Sequence, residues 1–369
     1  MKDFFSLSKR VDPKIKYISS IKGVQSIPLI LEVKHSIDSS IKRKLLRIGF
    51  KTKYEINFIN HICGNLPIRN LDSLKALVEI SRIYYDNKAS LMGKTFASAD
   101  GHNSNFMMKS QLLNGKGISI GFIDTGIHPR ADFMKPRRRI LSFKDFVNGK
   151  KDAYDDSGHG TSSAATASIP AGETGIVCAK AFNMINYGYY SDILASMDWM
   201  VEIKDKYNIK IVVLNFGVSL NSGNHDILSI AAEALWQKGL LVISCAGNLG
   251  PEKSTITSPG HNGKLLTIGS FDTDGAKFSI SPWSSKGPVA PNLDKPDIVM
   301  PGFIPSESFM GTAASASLAA GFAALVYEKK KDISPDDVKS LLKLCTTSLG
   351  ELKHAQGKGY MNIKKIEEL

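Results

Sequence analysis

The chain has 369 residues, of which 43% are hydrophobic and 22% are charged, and its formal net charge is +12. This length is sufficient for one large and one small domain, and the ordinary glycine and proline content excludes a fibrous or disordered chain. Residues 1–92 hold 17 Lys and Arg against 8 Asp and Glu, which leaves only +3 for the remainder. These residues lack a helix-turn-helix pattern, zinc ligands and aromatic platforms, so we predict no nucleic-acid partner. Their basic side chains are instead expected to form a solvated face or a surface for an acidic partner.

A compact α+β pattern is predicted for residues 1–92. The predicted elements are a strand at 27–33, a helix at 38–50, an alternating strand pattern at 51–63, a helix at 70–80 capped by Asn70, and a strand at 82–85. Their β-α-β-β-α-β order is the ferredoxin-like layout. The polar, Gly- and Ser-rich residues 87–115 indicate a linker.

From Gly117 onwards, short apolar segments alternate with helices. The apolar segments are ISIGFID, IVCAKAF, IVVLNFG, LVISCAG and LLTIGS, and the helical segments lie at 191–207 and 226–238. Strands that are apolar throughout and alternate with helices predict a parallel sheet with helices on both faces, here an α/β domain over residues 93–369. Chemistry in such sheets gathers at the carboxyl ends of the strands, where Asp124 and Asn248 follow two of these segments.

The N-terminus, the cysteines and one apolar segment bear on location. Charges within the first twelve residues interrupt any apolar core, so this terminus does not resemble a secretory signal. Four dispersed cysteines without a CxxC pair favour neither a disulfide framework nor zinc, and a cytoplasmic location is expected. Residues 313–327 are apolar but number only about fifteen, fewer than the roughly 20 that span a bilayer, so a buried helix and no membrane partner are predicted.

Several segments together resemble the subtilisin family of serine proteases. GISIGFIDTGIHP and DDSGHGTSSAA are similar to the blocks around the catalytic aspartate and histidine, VISCAGNLGP to the oxyanion block, and FMGTAASASLAAGFAALV to the nucleophile block. The resemblance implies a subtilisin-like fold and a serine endopeptidase that works through an acyl-enzyme. Asp124 would orient His159, His159 would be the general base, and Asn248 would donate to the oxyanion. The glycines flanking His159 are expected to allow close backbone packing.

The resemblance places Ala313 where the family has its nucleophilic serine. Ser315 and Ser317 are not substitutes, because a shift of two residues on a helix turns a side chain by about 200°. Two explanations stay open at this point. Either the gene encodes serine and Ala313 was introduced to prevent self-cleavage, which the intact Asp, His and Asn favour, or the protein is a natural pseudoprotease that acts as a binding or regulatory module. The codon at position 313 distinguishes them.

The resemblance also implies where a peptide or protein substrate would lie. It would be extended between segments 187–190 and 215–217 and pair with them through backbone hydrogen bonds. The S1 pocket would be walled by residues 215–218 and 245–247. The candidate substrate-binding residues are Gly188, Tyr189, Tyr190, Asn215, Phe216, Gly217, Cys245, Ala246 and Gly247.

Residues 1–92 are similar in position, length and element order to the inhibitory propeptide of that family. Such a unit packs its sheet on two helices of the catalytic domain, so its own propeptide, bound in the cleft, is the predicted partner. The helices at 191–207 and 226–238 offer five acidic residues to this basic unit, namely Asp192, Asp198, Glu202, Asp226 and Glu233. The junction is expected within residues 88–97, with residues 91–94 beside His159 and Asn248.

No cofactor and no metal are predicted. Many relatives bind calcium in a loop between the catalytic histidine and the following strand. Here the chain passes from HGTSSAATASIP to IVCAKAF with little room for that loop.

Overall fold

The computed structural model describes residues 10–95, 109–219, 226–274 and 277–369. These residues form two compact units. The first comprises Met1–Lys88 together with Tyr189–Asp198, and the second comprises Ala89–Gly188 and Trp199–Leu369. The first unit therefore ends at Lys88, shortly before the domain boundary expected at residue 92. It also includes Tyr189–Asp198, which the sequence assigned to the catalytic domain.

The first unit is built on a four-stranded antiparallel sheet. Its elements are α1 (Pro13–Ser19), β1 (Ser26–Val33), α2 (Ser39–Arg47), β2 (Lys51–Ile56), β3 (His61–Pro67), α3 (Leu71–Lys75) and β4 (Ile80–Tyr85). The strand order is β2-β3-β1-β4. Alternate residues of β1, including Leu29 and Leu31, pack into one core with Ile41 and Leu45 of α2. The predicted β-α-β-β-α-β order is confirmed, while α1 was not predicted.

Three local details of this unit differ from a simple interpretation of the sequence pattern. The strand pattern at 51–63 is divided into β2 and β3 by a turn, in which Asn60 adopts a left-handed φ of 56°. The helix predicted at 70–80 ends at Lys75, and the chain turns through the exposed Val78 to reach β4. Asn70 is the N-cap residue of α3, as predicted, but its side chain makes no capping bond, because its amide donates instead to the Ile48 carbonyl at 2.8 Å.

The second unit contains a largely parallel central sheet. Its main strands are β7 (Ser119–Asp124), β8 (Ile140–Asp145), β9 (Gly175–Lys180), β11 (Ile209–Leu214), β13 (Leu241–Cys245), β14 (Leu266–Asp274), β15 (Lys277–Ile280), β16 (Ile298–Pro301), β19 (Thr346–Thr347) and β20 (Tyr360–Met361). The order is β19-β20-β16-β14-β13-β11-β7-β9-β8, with β15 hydrogen-bonded to β14. All neighbours from β20 to β8 are parallel, which confirms the predicted α/β class. Strands β8 and β16 were not predicted.

Shorter strands lie outside this sheet. They are β5 (Lys88–Leu91), β6 (Lys94–Thr95), β10 (Tyr187–Tyr189), β12 (Phe216–Gly217), β17 (Phe303–Ile304) and β18 (Phe309–Met310). Because β5 and β6 are regular strands, the prediction of a linker from residue 87 to 115 is wrong for them. Residues 96–108 of that linker, and the last two residues of the expected junction, lie outside the described part of the chain.

Helices cover the central sheet. They are α4 (Ala131–Met134), α5 (His159–Ser168), α6 (Tyr190–Ile203), α7 (Ile227–Gln237), α8 (Thr312–Lys329), α9 (Pro335–Leu344), α10 (Lys353–Gln356) and α11 (Ile363–Glu367). Every residue from 312 to 327 of α8 is buried, as predicted, and this helix packs on α5 and on the central strands. Across the described ranges, no helix is both long and apolar enough to cross a membrane.

Candidate active site

Three adjacent strands bring the candidate residues to one edge of the sheet. Asp124 is the last residue of β7, Asn215 follows the neighbouring β11, and Asn248 follows β13, which lies beside β11. His159 is the first residue of α5 and Ala313 is the second residue of α8. The carboxyl ends of parallel strands thus meet two helix N-termini, which is where open α/β sheets place their sites.

Asp124 and His159 form a buried hydrogen-bonded pair. Nδ1 of His159 lies 2.8 Å from Oδ1 of Asp124, and each side chain is only 1% exposed. The Thr125 N–H donates to the same carboxylate oxygen at 2.8 Å, and the Ser163 hydroxyl donates to the other oxygen at 3.1 Å. Because an ionised carboxylate only accepts, neutral His159 carries its proton on Nδ1. Its Nε2 is buried and has no hydrogen-bond partner among the described residues.

The two glycines beside His159 serve different purposes. A Cβ atom added at Gly160 would lie 2.1 Å from the Gly126 carbonyl oxygen, so this position requires close backbone packing, as expected. A Cβ atom added at Gly158 would meet no atom within 4 Å, so the expectation of close backbone packing is wrong for this glycine. Its φ of 87° is a left-handed conformation that favours glycine, and this residue is the N-cap of α5.

Asp155 joins the loop after Asp124 to the first turn of α5. Its carboxylate accepts five hydrogen bonds, from Thr125 Oγ1 (2.8 Å), Ser157 N (3.1 Å), Gly158 N (2.9 Å), Thr161 N (2.8 Å) and Thr161 Oγ1 (2.6 Å). Although burial opposes ionisation, these bonds hold the pKa of Asp155 below its ordinary value. Asp155 was not predicted from the sequence, although an aspartate three residues before a glycine N-cap is a recognisable acceptor for a helix N-terminus.

Lys180 is a second residue that the sequence analysis missed. Its ammonium group is fully buried at the end of β9. It donates to the carbonyl oxygens of Thr125 at 2.6 Å and Phe182 at 2.9 Å, and to the Asp156 carboxylate at 2.7 Å. A buried charge is tolerated only when it is paired and hydrogen-bonded in this way. Lys180 therefore fixes the backbone directly after Asp124.

Asn248 is oriented by Thr312. Its side-chain oxygen accepts from the Thr312 N–H at 3.0 Å and from the Thr312 hydroxyl at 2.9 Å. The amide Nδ2 is consequently turned the other way and donates to the Met92 carbonyl at 2.9 Å. The Ala313 N–H lies 3.2 Å from the same carbonyl oxygen. Two N–H donors thus converge on one peptide carbonyl, the arrangement that stabilises an oxyanion in acyl transfer.

Residues 89–92 lie extended along β12. Leu91 pairs with Phe216 and Ser90 with Gly217 in antiparallel register. The Met92 N–H donates to the Asn215 carbonyl at 2.8 Å, so this stretch binds as an added strand. On its other side, the Leu91 N–H donates to the carbonyl of Asn186 at 3.1 Å.

Two of the candidate binding residues are glycines in close contact. A Cβ atom added at Gly217 would lie 2.7 Å from the terminal methyl of Met92, so the Met92 side chain occupies the space that this glycine leaves open. At Gly188, in β10, an added Cβ would lie 2.5 Å from the Ala181 carbonyl oxygen. Gly188 therefore permits close packing of β10 on the segment after β9.

Asn215 and the residues after β13 support the site from behind. The buried Asn215 amide donates to Ser163 at 3.0 Å and to Ser317 at 2.9 Å. The Cys245 thiol is directed at the Phe216 carbonyl, 3.7 Å away, and burial raises its pKa to about 12. The Ala246 carbonyl accepts from Thr257 N–H at 2.9 Å, and the Gly247 N–H donates to the Thr312 hydroxyl at 3.2 Å.

Tyr189 and Tyr190 belong to the first unit. Within it, the Tyr189 ring lies beneath the Lys88 ammonium, 4.7 Å from ring centroid to nitrogen, and the Tyr190 N–H donates to the Asn87 carbonyl at 2.8 Å. The first turns of α6 continue these contacts, because the Ser191 N–H donates to the Asp86 carboxylate at 2.9 Å.

Two of the acidic residues proposed to meet the basic segment do so within the first unit. Asp192 accepts from the Lys53 ammonium at 2.6 Å and from the Tyr54 hydroxyl at 2.8 Å. Burial, together with the Asp192 charge, raises the pKa of Tyr54. Asp198 accepts from the Phe58 N–H at 3.0 Å. In the second unit, two further acidic residues bond locally: the Asp226 carboxylate caps α7, and Glu233 accepts from the Asn262 amide.

Nowhere in the described ranges do three His, Cys, Asp or Glu side chains come together as a metal site.

Comparison with known proteins identifies the family. The Subtilase family profile matches residues 115–360. Serine protease AprX of Bacillus subtilis is 31% identical over 337 residues, which cover 79% of this chain and 75% of that protein. Subtilisin DY of Bacillus licheniformis is 26% identical over 70% of this chain and 93% of its own length. The structure of fervidolysin from Fervidobacterium pennivorans, described as a keratinolytic enzyme related to subtilisin, aligns with a TM-score of 0.72 at 14% identity. That alignment covers 95% of this chain but only 62% of fervidolysin, and it supports the fold alone. The chain belongs to the subtilase family.

Proposed function

We propose that this protein is a serine endopeptidase zymogen whose nucleophile position, residue 313, holds alanine. One observation carries the proposal. The Met92 carbonyl accepts from Asn248 Nδ2 and from the Ala313 N–H, and it lies beside the buried His159 Nε2, for which the described part of the chain offers no hydrogen-bond partner. An imidazole nitrogen with no partner, next to an occupied pair of oxyanion donors, is the arrangement expected when only a serine hydroxyl is missing.

The chemistry follows from these positions once serine stands at 313. His159 Nε2 takes the proton of the serine hydroxyl as its oxygen attacks the Met92 carbonyl carbon. Asp124 stabilises the resulting imidazolium, and Asn248 Nδ2 with the residue 313 N–H stabilises the negative oxygen. His159 then returns the proton to the leaving Gly93 nitrogen. The acyl-enzyme left on residue 313 is hydrolysed by water, which His159 activates in the same way.

Residues 1–92 serve, in this proposal, as an inhibitory propeptide, and the bond between Met92 and Gly93 is the processing site. The pairing of residues 90–92 with β12 supports a substrate-like position for this segment. The salt bridge from Lys53 to Asp192 supports the role proposed for the basic face of residues 1–92. The partner would be the chain's own propeptide, and the substrates would be peptides or proteins that bind extended. The cytoplasmic location stays a prediction, which cell fractionation tests.

Restoring the nucleophile tests the proposal. The Ala313→Ser variant is expected to react with a fluorophosphonate probe and to hydrolyse peptide substrates, and the further change His159→Ala is expected to abolish both. A correctly folded Ala313→Ser variant that does neither would instead support a pseudoprotease that binds peptides without cleaving them. The codon at position 313 of the natural gene decides whether alanine is native.

A further inference from the structure

We propose that Phe309 restricts the residue after the cleaved bond to glycine, which makes the site selective for peptides that carry glycine at that position. This inference rests on the proposed function, and it concerns which peptides the site accepts. It arises from the space around Gly93, the residue that follows the Met92 carbonyl held by Asn248.

Gly93 lies in a position with no room for a side chain. A Cβ atom added there would be 2.8 Å from Cε2 of Phe309, 2.9 Å from Nε2 of His159 and 3.1 Å from Cβ of Ala313. Carbon atoms in contact ordinarily stay about 3.5–4.0 Å apart. Even alanine at this position would therefore clash with Phe309 and His159, and it would lie closer to Ala313 than carbon atoms ordinarily do.

Neither Phe309 nor His159 can move away without losing contacts that hold it in place. The Phe309 side chain is fully buried, and its ring meets that of His159 edge-on, with centroids 4.9 Å apart at 90°. Strand β18, which carries Phe309, is paired with Ile304 on one side and with Thr95 on the other. His159 is held by Asp124, and a displaced imidazole would lose its catalytic position. In a close-packed site, such crowding is not relieved by small shifts.

Neighbouring positions of the same segment are less restricted. Lys94 is exposed and Ser90 is partly exposed, although both pair through their backbones. Met92 fills the space in front of Gly217. The restriction is therefore local to the residue after the cleaved bond, and Phe309 is the one member of its wall that does not take part in proton transfer or oxyanion binding.

Processing of the chain itself gives the first test. In the Ala313→Ser background, the rate of cleavage after Met92 is followed by intact mass for Gly93, Gly93→Ala and Gly93→Val. We expect Gly93→Ala to slow cleavage by at least about tenfold and Gly93→Val to slow it further, from the usual cost of overpacking. Gly172→Ala is the matched control, since its added methyl would meet only the Ser168 carbonyl at 3.6 Å. Phe309→Leu removes the ring edge. In this variant, the cleavage rates of the Gly93 and Gly93→Ala chains are expected to differ by a smaller factor.

Synthetic peptides give a second test that does not depend on the folding of position 93 variants. The peptides Ala-Ser-Leu-Met-X-Lys-Thr, with X as Gly, Ala or Val, are added to the processed Ala313→Ser protein, and kcat/KM is compared. A preference for Gly over Ala of about tenfold or more supports the inference. Equal kcat/KM values for the Gly and Ala peptides overturn the inference. If the same sample still reacts with the fluorophosphonate probe, the proposed function is not affected. Absence of labelling overturns both the inference and the proposed function. If the ratio of kcat/KM for the Gly and Ala peptides is unchanged in the Phe309→Leu variant, Phe309 is not the residue that restricts this position.

Discussion

Replacement of Asp155 by alanine tests how the hydrogen-bonded pair of Asp124 and His159 is held in place. The change leaves three backbone N–H groups and two hydroxyl groups without their acceptor. A hydrogen bond to a charged group contributes about 1.5–3 kcal/mol, but Asp155 is only partly buried and water can satisfy several of these donors. We therefore expect the free energy of unfolding of the second unit to fall by about 2–4 kcal/mol.

The same residue gives a pH dependence with a definite sign. The pKa of Asp155 lies below its ordinary value in the folded protein, because its five donors outweigh the effect of burial. An acid whose pKa is lowered by folding stabilises the protein above its unfolded pKa, about 4, and loses that contribution as the pH falls below it. The difference in stability between the parent chain and Asp155→Ala is thus expected to be full at pH 7 and to shrink below about pH 4.

Urea unfolding followed by tryptophan fluorescence is the assay. All three tryptophans, Trp199, Trp236 and Trp283, lie in the second unit, so the signal reports on that unit. Asp152→Ala is the control, because Asp152 is an exposed aspartate in the same loop. A fall of less than about 0.5 kcal/mol for Asp155→Ala at pH 7 would refute the role assigned to this carboxylate, since surface changes stay within that range.

Three further predictions concern the oxyanion donor, a buried acid and metal removal. In the Ala313→Ser background, Asn248→Ala is expected to lower the hydrolysis rate by about 10²–10³, the loss already known for the corresponding donor in subtilisin. Burial raises the pKa of Asp86, so its ionisation opposes folding as the pH rises above about 4. Asp86→Asn, which keeps an acceptor for the Ser191 N–H, is therefore expected to raise stability at pH 7 by up to about 1 kcal/mol and not at pH 3, as measured by circular dichroism in urea. Treatment with EGTA is expected to leave the melting temperature within a few degrees of its starting value.

Each of these predictions has a contrary outcome. An Asn248→Ala variant that retains its full rate would show that the amide does not stabilise the oxyanion. A loss of stability in Asp86→Asn at pH 7 would show that the negative charge itself is needed at the N-terminus of α6. A fall in melting temperature of more than about 10 °C with EGTA would reveal a strong metal site, because about 1 kcal/mol shifts a large domain by only a few degrees.

The fold and the strand-end residues were accessible from the sequence because their signals are local. Strands such as β7 and β13, which are buried on both faces, can be predicted from their apolar runs. Asp124 ends the first of them, and Asn248 comes three residues after the second. Strand β8 was missed because its burial is incomplete, with Leu141 exposed, so that it lacks a continuous apolar run. Asn70 was predicted as a cap because of its position before a helix, but its side chain makes a hydrogen bond to the distant Ile48 carbonyl instead of a capping bond.

The remaining features depend on contacts between distant segments. Lys180 stands in an apolar run, and only the tertiary structure brings it to the Thr125 carbonyl. Phe309 contacts His159 and faces Gly93 from β18, a strand that is held by pairing with both β17 and β6. Such contacts have no fixed spacing along the chain, so a pattern search does not find them.

In the proposed zymogen, the bond between Met92 and Gly93 is held for cleavage and lacks only a nucleophile. Mass spectrometry with N-terminal sequencing of the Ala313→Ser protein tests it most directly. We expect a new N-terminus at Gly93, produced without added protease and absent from the Ala313→Ser, His159→Ala double variant. Cleavage at another bond, or a folded Ala313→Ser chain that stays intact, would contradict it.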